Sequence, residues 1–117
     1  MNNLKHLIKK ILIFRQKRDW KKFHNPKNLA ISLSIEANEL LEKFQWLNEK
    51  ESQEVIKNKN LKKEIEEEIA DVFYYLLLLS YELNINLEKT FEEKMRNNEK
   101  KYPVEKAKGK ALKYNKL

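Results

Sequence analysis

Apolar residues recur every three or four positions in four stretches of the chain, which is the spacing of one face of an α-helix. The pattern predicts a first helix over about residues 3–18, a second over 27–47 and a third over 60–83. A fourth helix is expected to begin after its N-cap, Asn86, and to end at Pro103. Four helices with short connections favour an all-α fold, an antiparallel four-helix bundle.

The third predicted helix is apolar around most of its circumference after Tyr74, which is typical of a helix buried on several sides. A lone bundle of 117 residues is too small to cover that much apolar surface. Because large exposed apolar patches mark interfaces, the pattern predicts a homo-oligomer.

Composition agrees with a helical domain, since the chain has one Gly and two Pro. We expect a single domain over residues 1–117, with a basic C-terminal extension from about residue 104. The absence of Cys suits a reducing compartment, and the expected location is the cytoplasm. No membrane association is expected, because the apolar run 74–79 is far shorter than the ~20 residues of a membrane span. The start of the chain is interpreted as an ordinary helix and not as a targeting peptide, because Lys9 and Lys10 interrupt it.

The net charge of +7 lies entirely in the last part of the chain. Residues 1–93 carry sixteen basic and sixteen acidic side chains, whereas residues 94–117 carry nine basic and two acidic ones. A basic segment indicates an anionic partner, such as a nucleic acid, a free nucleotide or an acidic lipid. The alternative is a segment that only keeps the chain soluble.

Two pairs of acids interrupt otherwise apolar helical patterns. Glu36 and Glu39 lie three residues apart in the second predicted helix, and Glu68 and Asp71 repeat that spacing in the third. If these helices pack together, the four carboxylates converge and need a compensating cation. Oxygen ligands without His or Cys favour Mg²⁺ or Mn²⁺.

A solvated helix face explains either acidic pair taken alone, and this interpretation stays open. A di-iron site in a helical bundle would need Glu-x-x-His, and neither His6 nor His24 has that spacing. Redox iron is therefore not expected.

The segment SIEANELLEKFQW followed by EEEIADVFYYLLLL resembles the MazG-type all-α nucleoside triphosphate pyrophosphohydrolases, whose signature is E-x-x-E followed by E-x-x-D. The segments FRQKRDWKKFHNPKNLA, FQW and KMRNNEKKYP are similar, in the same order, to the dCTP pyrophosphatase branch of that family. The resemblance covers about residues 10–114. Ile35 replaces a second Glu that many MazG proteins have, and the dCTP pyrophosphatase branch also tends to lack it.

The resemblance implies a reaction in which a nucleoside triphosphate and water give a nucleoside monophosphate and diphosphate, with Mg²⁺ as cofactor or Mn²⁺ as a substitute. It implies that the catalytic residues and metal ligands are the acids Glu36, Glu39, Glu68 and Asp71. One of the glutamates then accepts the proton of the attacking water, and Glu39 is the first candidate. The resemblance also implies a homo-oligomer, and we favour a tetramer over a dimer.

Further substrate-binding residues are implied in the same way. Lys94, Asn98 and Tyr102 match family positions that bind the triphosphate, and Trp20, His24 and Trp46 match positions that form the base pocket. Without the resemblance, Lys94 and His24 would be interpreted as surface residues, and the aromatic residues as core packing.

A different class of function remains as the alternative: a non-catalytic basic helical protein that binds nucleic acid through residues 94–117. A purely structural bundle is a third possibility. Both leave the inward acids unexplained, so nucleic acid is not the expected partner.

Overall fold

The computed structural model describes residues 3–117, and Met1 and Asn2 lie outside the described residues. Over the described part, every regular element is helical. The α-helices are α1 (Asn3–Lys17), α2 (Pro26–Glu42), α3 (Glu49–Gln53), α4 (Lys59–Glu82), α5 (Leu87–Lys101) and α6 (Val104–Ala107).

Three of the four predicted helices are confirmed as α1, α4 and α5, within one or two residues at their ends. The second predicted helix was too long, because α2 ends at Glu42 and not near residue 47. Backbone N–H groups of Lys43 and Phe44 bond to carbonyls three residues earlier, at 3.1 and 2.9 Å. Hydrogen bonds that span three residues form tighter turns than those of an α-helix, so the α-helix ends here.

Asparagine side chains fix where the long helices begin. Asn25 accepts a hydrogen bond from the backbone N–H of Asn28 at 2.9 Å, and Pro26 follows it at the first helical position. Asn86 caps α5 in the same way, as the sequence predicted.

Two polar residues, Asp19 and Asn84, have positive φ angles of 54° and lie in the connections after α1 and α4. Short polar side chains tolerate this left-handed backbone better than other residues, so the chain can turn there.

The core lies where α4 packs against α2, and α1 also packs on α4. Four apolar side chains are buried among the described residues, and all belong to α2 or α4: Leu29, Ile65, Leu77 and Leu78. Arg15 of α1 is also buried, with 4% of its surface exposed, and its guanidinium donates to the Glu82 carboxylate of α4 at 2.6 Å. This ion pair joins the C-terminal ends of the two helices.

The helices divide into two compact units, the first ending at Asn84 and the second spanning Ile85–Leu117. In the second unit the rings of Tyr102 and Tyr114 meet edge to face, with centroids 6.2 Å apart. An all-helical fold is confirmed over the described residues, whereas the four-helix bundle and the single domain stay predictions. None of the helices in the described part of the chain has the length and apolar character to cross a membrane.

Candidate active site

Packing of α2 against α4 brings three of the four predicted acids together. Glu36 and Glu39 come from α2 and Glu68 comes from α4. One carboxylate oxygen from each of the three lies within 4.8 Å of the other two. The spacing of three residues places Glu36 and Glu39 on one helix face, and the packing turns that face toward Glu68.

Asp71, the fourth predicted acid, lies next to this cluster but is exposed. It is one turn after Glu68 on α4, and its charge acts on both Glu36 and Glu68. Asp71 also lines the same cavity as Glu36. The four acids therefore lie close together in the structure. Glu36, Glu39 and Glu68 form the cluster, and Asp71 lies next to it.

Burial and mutual repulsion disfavour the charged form of the cluster. The pKa of Glu36 is raised from 4.5 to about 7, first by burial and then by the carboxylates of Glu39, Asp71 and Glu68. Burial also raises the pKa of Glu68, with added effects of Glu39 and Asp71, while the Lys43 ammonium opposes the shift. At neutral pH the cluster is therefore costly to keep fully ionised without a cation.

The atoms themselves are suited to a metal ion. Oε2 of Glu36 and Oε2 of Glu68 are buried and have no hydrogen-bond partner. A buried acceptor without a donor costs free energy that coordination of a cation would recover. Since all three side chains offer oxygen, the donor set fits a hard divalent cation such as Mg²⁺ or Mn²⁺.

A cavity of about 460 Å³ opens beside the acids. Its wall includes Glu36 and Asp71 together with four aromatic residues, Phe14, Trp20, Tyr74 and Tyr75. These rings meet edge to face, with centroid distances of 5.7 Å for Phe14–Trp20, 6.2 Å for Phe14–Tyr74 and 5.0 Å for Tyr74–Tyr75. The volume and the mixed wall are typical of a site for a small organic ligand.

The turn between α1 and α2 positions Trp20 in that wall. The carbonyl of Arg15 accepts hydrogen bonds from the backbone N–H groups of Arg18 and Trp20, both at 3.2 Å. The side chain of Arg15 is fixed in turn by Glu82. Arg15 therefore holds the start of this turn through its backbone and anchors it to α4 through its guanidinium.

His24 ends the same turn and lies beside the Arg15–Glu82 pair. It is half-buried, and its Nδ1 atom is buried without a hydrogen-bond partner. Burial and the Arg15 charge lower the pKa of His24, against an opposing effect of Glu82. The structure does not place His24 in the wall of the 460 Å³ cavity.

The other predicted substrate-binding residues are not among those that line this cavity. Trp46 follows α2 and is 86% exposed. Lys94, Asn98 and Tyr102 belong to the second unit, in which the backbone N–H of Tyr102 bonds to the Asn98 carbonyl at 2.8 Å. Their roles in substrate binding stay predictions, as does that of His24.

Several wall residues were missed in the sequence. Tyr74 and Tyr75 were interpreted as part of an apolar run, although Tyr75 lies four residues after Asp71 and thus on the same helix face. Lys10 and Phe14 are related by the same spacing on α1. Spacing from the acids could have identified Tyr75, whereas Lys10 and Phe14 required knowledge of how α1 packs.

The chain is similar in sequence to known proteins over most of its length. The sequence model of the MazG-like family matches residues 31–117. The rat protein dCTP pyrophosphatase 1 is 36% identical over 104 residues, which cover 89% of this chain and 61% of the relative. The human protein of that name is 34% identical over the same shares of the two chains. This chain therefore spans 61% of the length of these curated relatives.

A solved structure is similar over nearly its whole length. The crystal structure of a pyrophosphatase from Archaeoglobus fulgidus superposes with a TM-score of 0.81 and is 46% identical in sequence. The match covers 88% of this chain and 94% of that one. With a family match over residues 31–117 and relatives of this similarity, the chain belongs to the MazG-like family.

Proposed function

We propose that this chain is a Mg²⁺-dependent nucleoside triphosphate pyrophosphohydrolase that prefers dCTP or related pyrimidine deoxynucleotides. The observation that carries the proposal is the cluster of Glu36, Glu39 and Glu68, in which one carboxylate oxygen of each residue lies within 4.8 Å of the other two. Two atoms of these side chains, the Oε2 atoms of Glu36 and Glu68, are buried without a hydrogen-bond partner. The aromatic cavity next to the cluster supports a nucleoside substrate. The relatives named dCTP pyrophosphatase 1 and the A. fulgidus pyrophosphatase support the reaction.

In the proposed reaction a water oxygen attacks the α-phosphorus, and the bond between that phosphorus and the bridging oxygen of the β-phosphate breaks. The products are a nucleoside monophosphate and diphosphate. Glu39 is the proposed acceptor of the water's proton, while Glu36, Glu68 and Asp71 complete the carboxylate set that would hold the cation. When bound there, Mg²⁺ would neutralise the acids, bind phosphate oxygens and lower the pKa of a bound water.

Selectivity for the base is assigned to aromatic residues. Trp20 already lines the cavity, and its ring is held edge to face by Phe14. A nucleobase stacked on such a ring gains about 1–3 kcal/mol. We propose that Trp46 and His24 complete the base pocket and that Lys94, Asn98 and Tyr102 bind the triphosphate.

The proposal includes a homo-oligomer, with a tetramer favoured over a dimer, and a cytoplasmic location. Support for the oligomer comes from large apolar side chains that the first unit leaves exposed on α2 and α4. Examples are Ile35 at 51%, Leu41 at 61% and Ile69 at 52% exposed. Apolar surface of this extent on the two core helices is typical of an interface.

The oligomer is tested by sedimentation velocity of the purified chain at micromolar concentration. We expect a single species of the mass of a tetramer, because burial of the exposed apolar side chains drives association. A monomer under these conditions would refute the oligomer, and a dimer would refute the preference for a tetramer.

The metal site is tested by Glu68→Gln and Asp71→Asn, each of which should abolish release of pyrophosphate from dCTP. The substitutions keep side-chain size but remove a charge that a divalent ligand set needs. Pyrophosphate release is measured in Mg²⁺ for all common nucleoside and deoxynucleoside triphosphates. Glu67→Gln is the matched control, because Glu67 is exposed beside Glu68 on α4 and does not belong to the cluster. Activity that persists in excess EDTA would contradict the proposal.

A pH effect on metal-free stability follows from Glu36. Its pKa is 4.5 without the folded environment and about 7 within it, so between these values the folded chain binds more protons than the unfolded chain. The ionised cluster therefore opposes folding increasingly as the pH rises from about 4.5 through about 7.

Glu36→Gln should remove this cost. In EDTA, the variant and the wild type should melt at similar temperatures near about pH 5, and the variant should melt higher at about pH 8. Thermal unfolding followed by circular dichroism measures the difference, and Glu42→Gln, an exposed position of α2, is the control. A difference that does not grow with pH would show that Glu36 is not destabilised by its neighbours.

Base binding and turnover should separate in two further variants. Trp46→Ala should raise KM for dCTP by about ten- to a hundred-fold with a smaller effect on kcat, since base stacking is equal in the ground and transition states. Glu39→Gln should lower kcat far more than it changes KM, because it removes a metal ligand or the proton acceptor. Kinetics with dCTP and a purine deoxynucleotide provide the comparison. If Trp46→Ala left KM and base preference unchanged, the pocket assignment of Trp46 would fail.

A further inference from the structure

Among the described residues, one cation lines the cavity that contains Glu36 and Asp71. Lys10 of α1 lies in the wall of this 460 Å³ cavity, and the other residues of the wall are acidic, aromatic or aliphatic. Lys10 is exposed, so its ammonium is accessible to a ligand that enters the cavity.

None of the ion pairs found among the described residues joins this lysine to the acids. The neighbouring charges that act on Glu36 are all carboxylates, and the cation that acts on Glu68 is Lys43. The ion pairs among the described residues are Arg15–Glu82, Lys22–Asp19, Lys43–Glu64 and Lys62–Glu66. Lys10 therefore brings positive charge into the wall of a cavity that also contains Glu36 and Asp71.

The positive charge continues beyond Lys10. A second cavity of about 380 Å³ shares Lys10 and Phe14 with the first, and its wall adds Lys17 and Arg18. Arg18 is held in place, since its guanidinium lies 3.8 Å from the centre of the Phe14 ring and donates to the Phe14 carbonyl at 3.0 Å. The two cavities together are thus lined by three cations, Lys10, Lys17 and Arg18.

We propose that Lys10 binds the β- and γ-phosphates of the nucleoside triphosphate, the part that leaves as diphosphate. This inference rests on the proposed pyrophosphohydrolase function. A nucleobase is neutral and gains little from an ammonium group, so the phosphates are the part of the substrate that Lys10 attracts. The α-phosphate reacts at the acids, and the β- and γ-phosphates are those that extend away from them.

The position also assists the chemistry. When the bond to the α-phosphorus breaks, the electron pair remains on the bridging oxygen and the negative charge of the diphosphate rises. A cation at that end of the substrate stabilises the transition state more than the ground state, which lowers the barrier.

Lys10→Met tests the assignment, with Lys9→Met as its matched control. Lys9 is the neighbouring lysine on α1, is exposed and lines neither cavity, so both variants lose one charge from the same helix. Isothermal titration in Mg²⁺ measures binding of three probes: inorganic pyrophosphate, dCMP and a dCTP analogue with a non-hydrolysable α,β-imido bridge. Lys10→Met should weaken binding of pyrophosphate and of the analogue about ten- to a hundred-fold, because the loss of one charge-assisted hydrogen bond lowers affinity by about that factor. Binding of dCMP should be unchanged, and Lys10→Arg should restore most of the affinity.

Three outcomes would overturn the inference. Equal affinities of Lys10→Met and Lys9→Met for all probes would remove Lys10 from the site. A loss of dCMP binding as large as that of pyrophosphate would assign Lys10 to the nucleotide end and refute its contact with the leaving group. Wild-type protein that neither binds the analogue nor hydrolyses any triphosphate would overturn the proposed function as well, whereas the first two outcomes leave that function intact.

Discussion

The close approach of carboxylates across the packing of α2 on α4 is the constraint on which the rest of the structure depends. Glu36, Glu39 and Glu68 are held within 4.8 Å by helices that also supply every buried apolar side chain of the described chain. The apolar contacts overcome the repulsion and bring the acids together. The hydrophobic core thus holds the acids in mutual repulsion, an arrangement that a bound cation would stabilise.

The first helix and the turn after it contribute Phe14 and Trp20 to the wall of the cavity beside the acids. Arg15 anchors the turn to α4 through Glu82, and the turn presents Trp20 to the cavity. Removal of either partner would leave the other charge partly buried and uncompensated, which destabilises the fold. The pair therefore connects the geometry of the aromatic wall to the end of the helix that bears the acids.

Much of this arrangement was predictable from the sequence. Spacing alone placed Glu36 with Glu39 and Glu68 with Asp71, and apolar periodicity predicted that the helices carrying them would pack. The end of α2 was not predictable, because the apolar pattern continues through Phe44 while the backbone already turns. Lys10 and Phe14 were missed since their place in the cavity depends on a contact between helices far apart in sequence. Trp46 does not line the cavity, and its proposed role in base binding therefore stays a prediction.

In the part of the chain that the structure describes, the four buried apolar residues all lie on the two helices that also carry the acids. A substitution that repacks Leu29 or Leu77 therefore shifts the backbone of the helices that carry the carboxylates. A substitution that reduces the repulsion between the carboxylates in turn alters the packing of α2 on α4. Core packing and the spacing of the carboxylates therefore cannot change independently, because the same two helices determine both. Gains in thermal robustness should accumulate instead on α1, α3 and the exposed helix faces, where they leave the spacing of the acids unchanged.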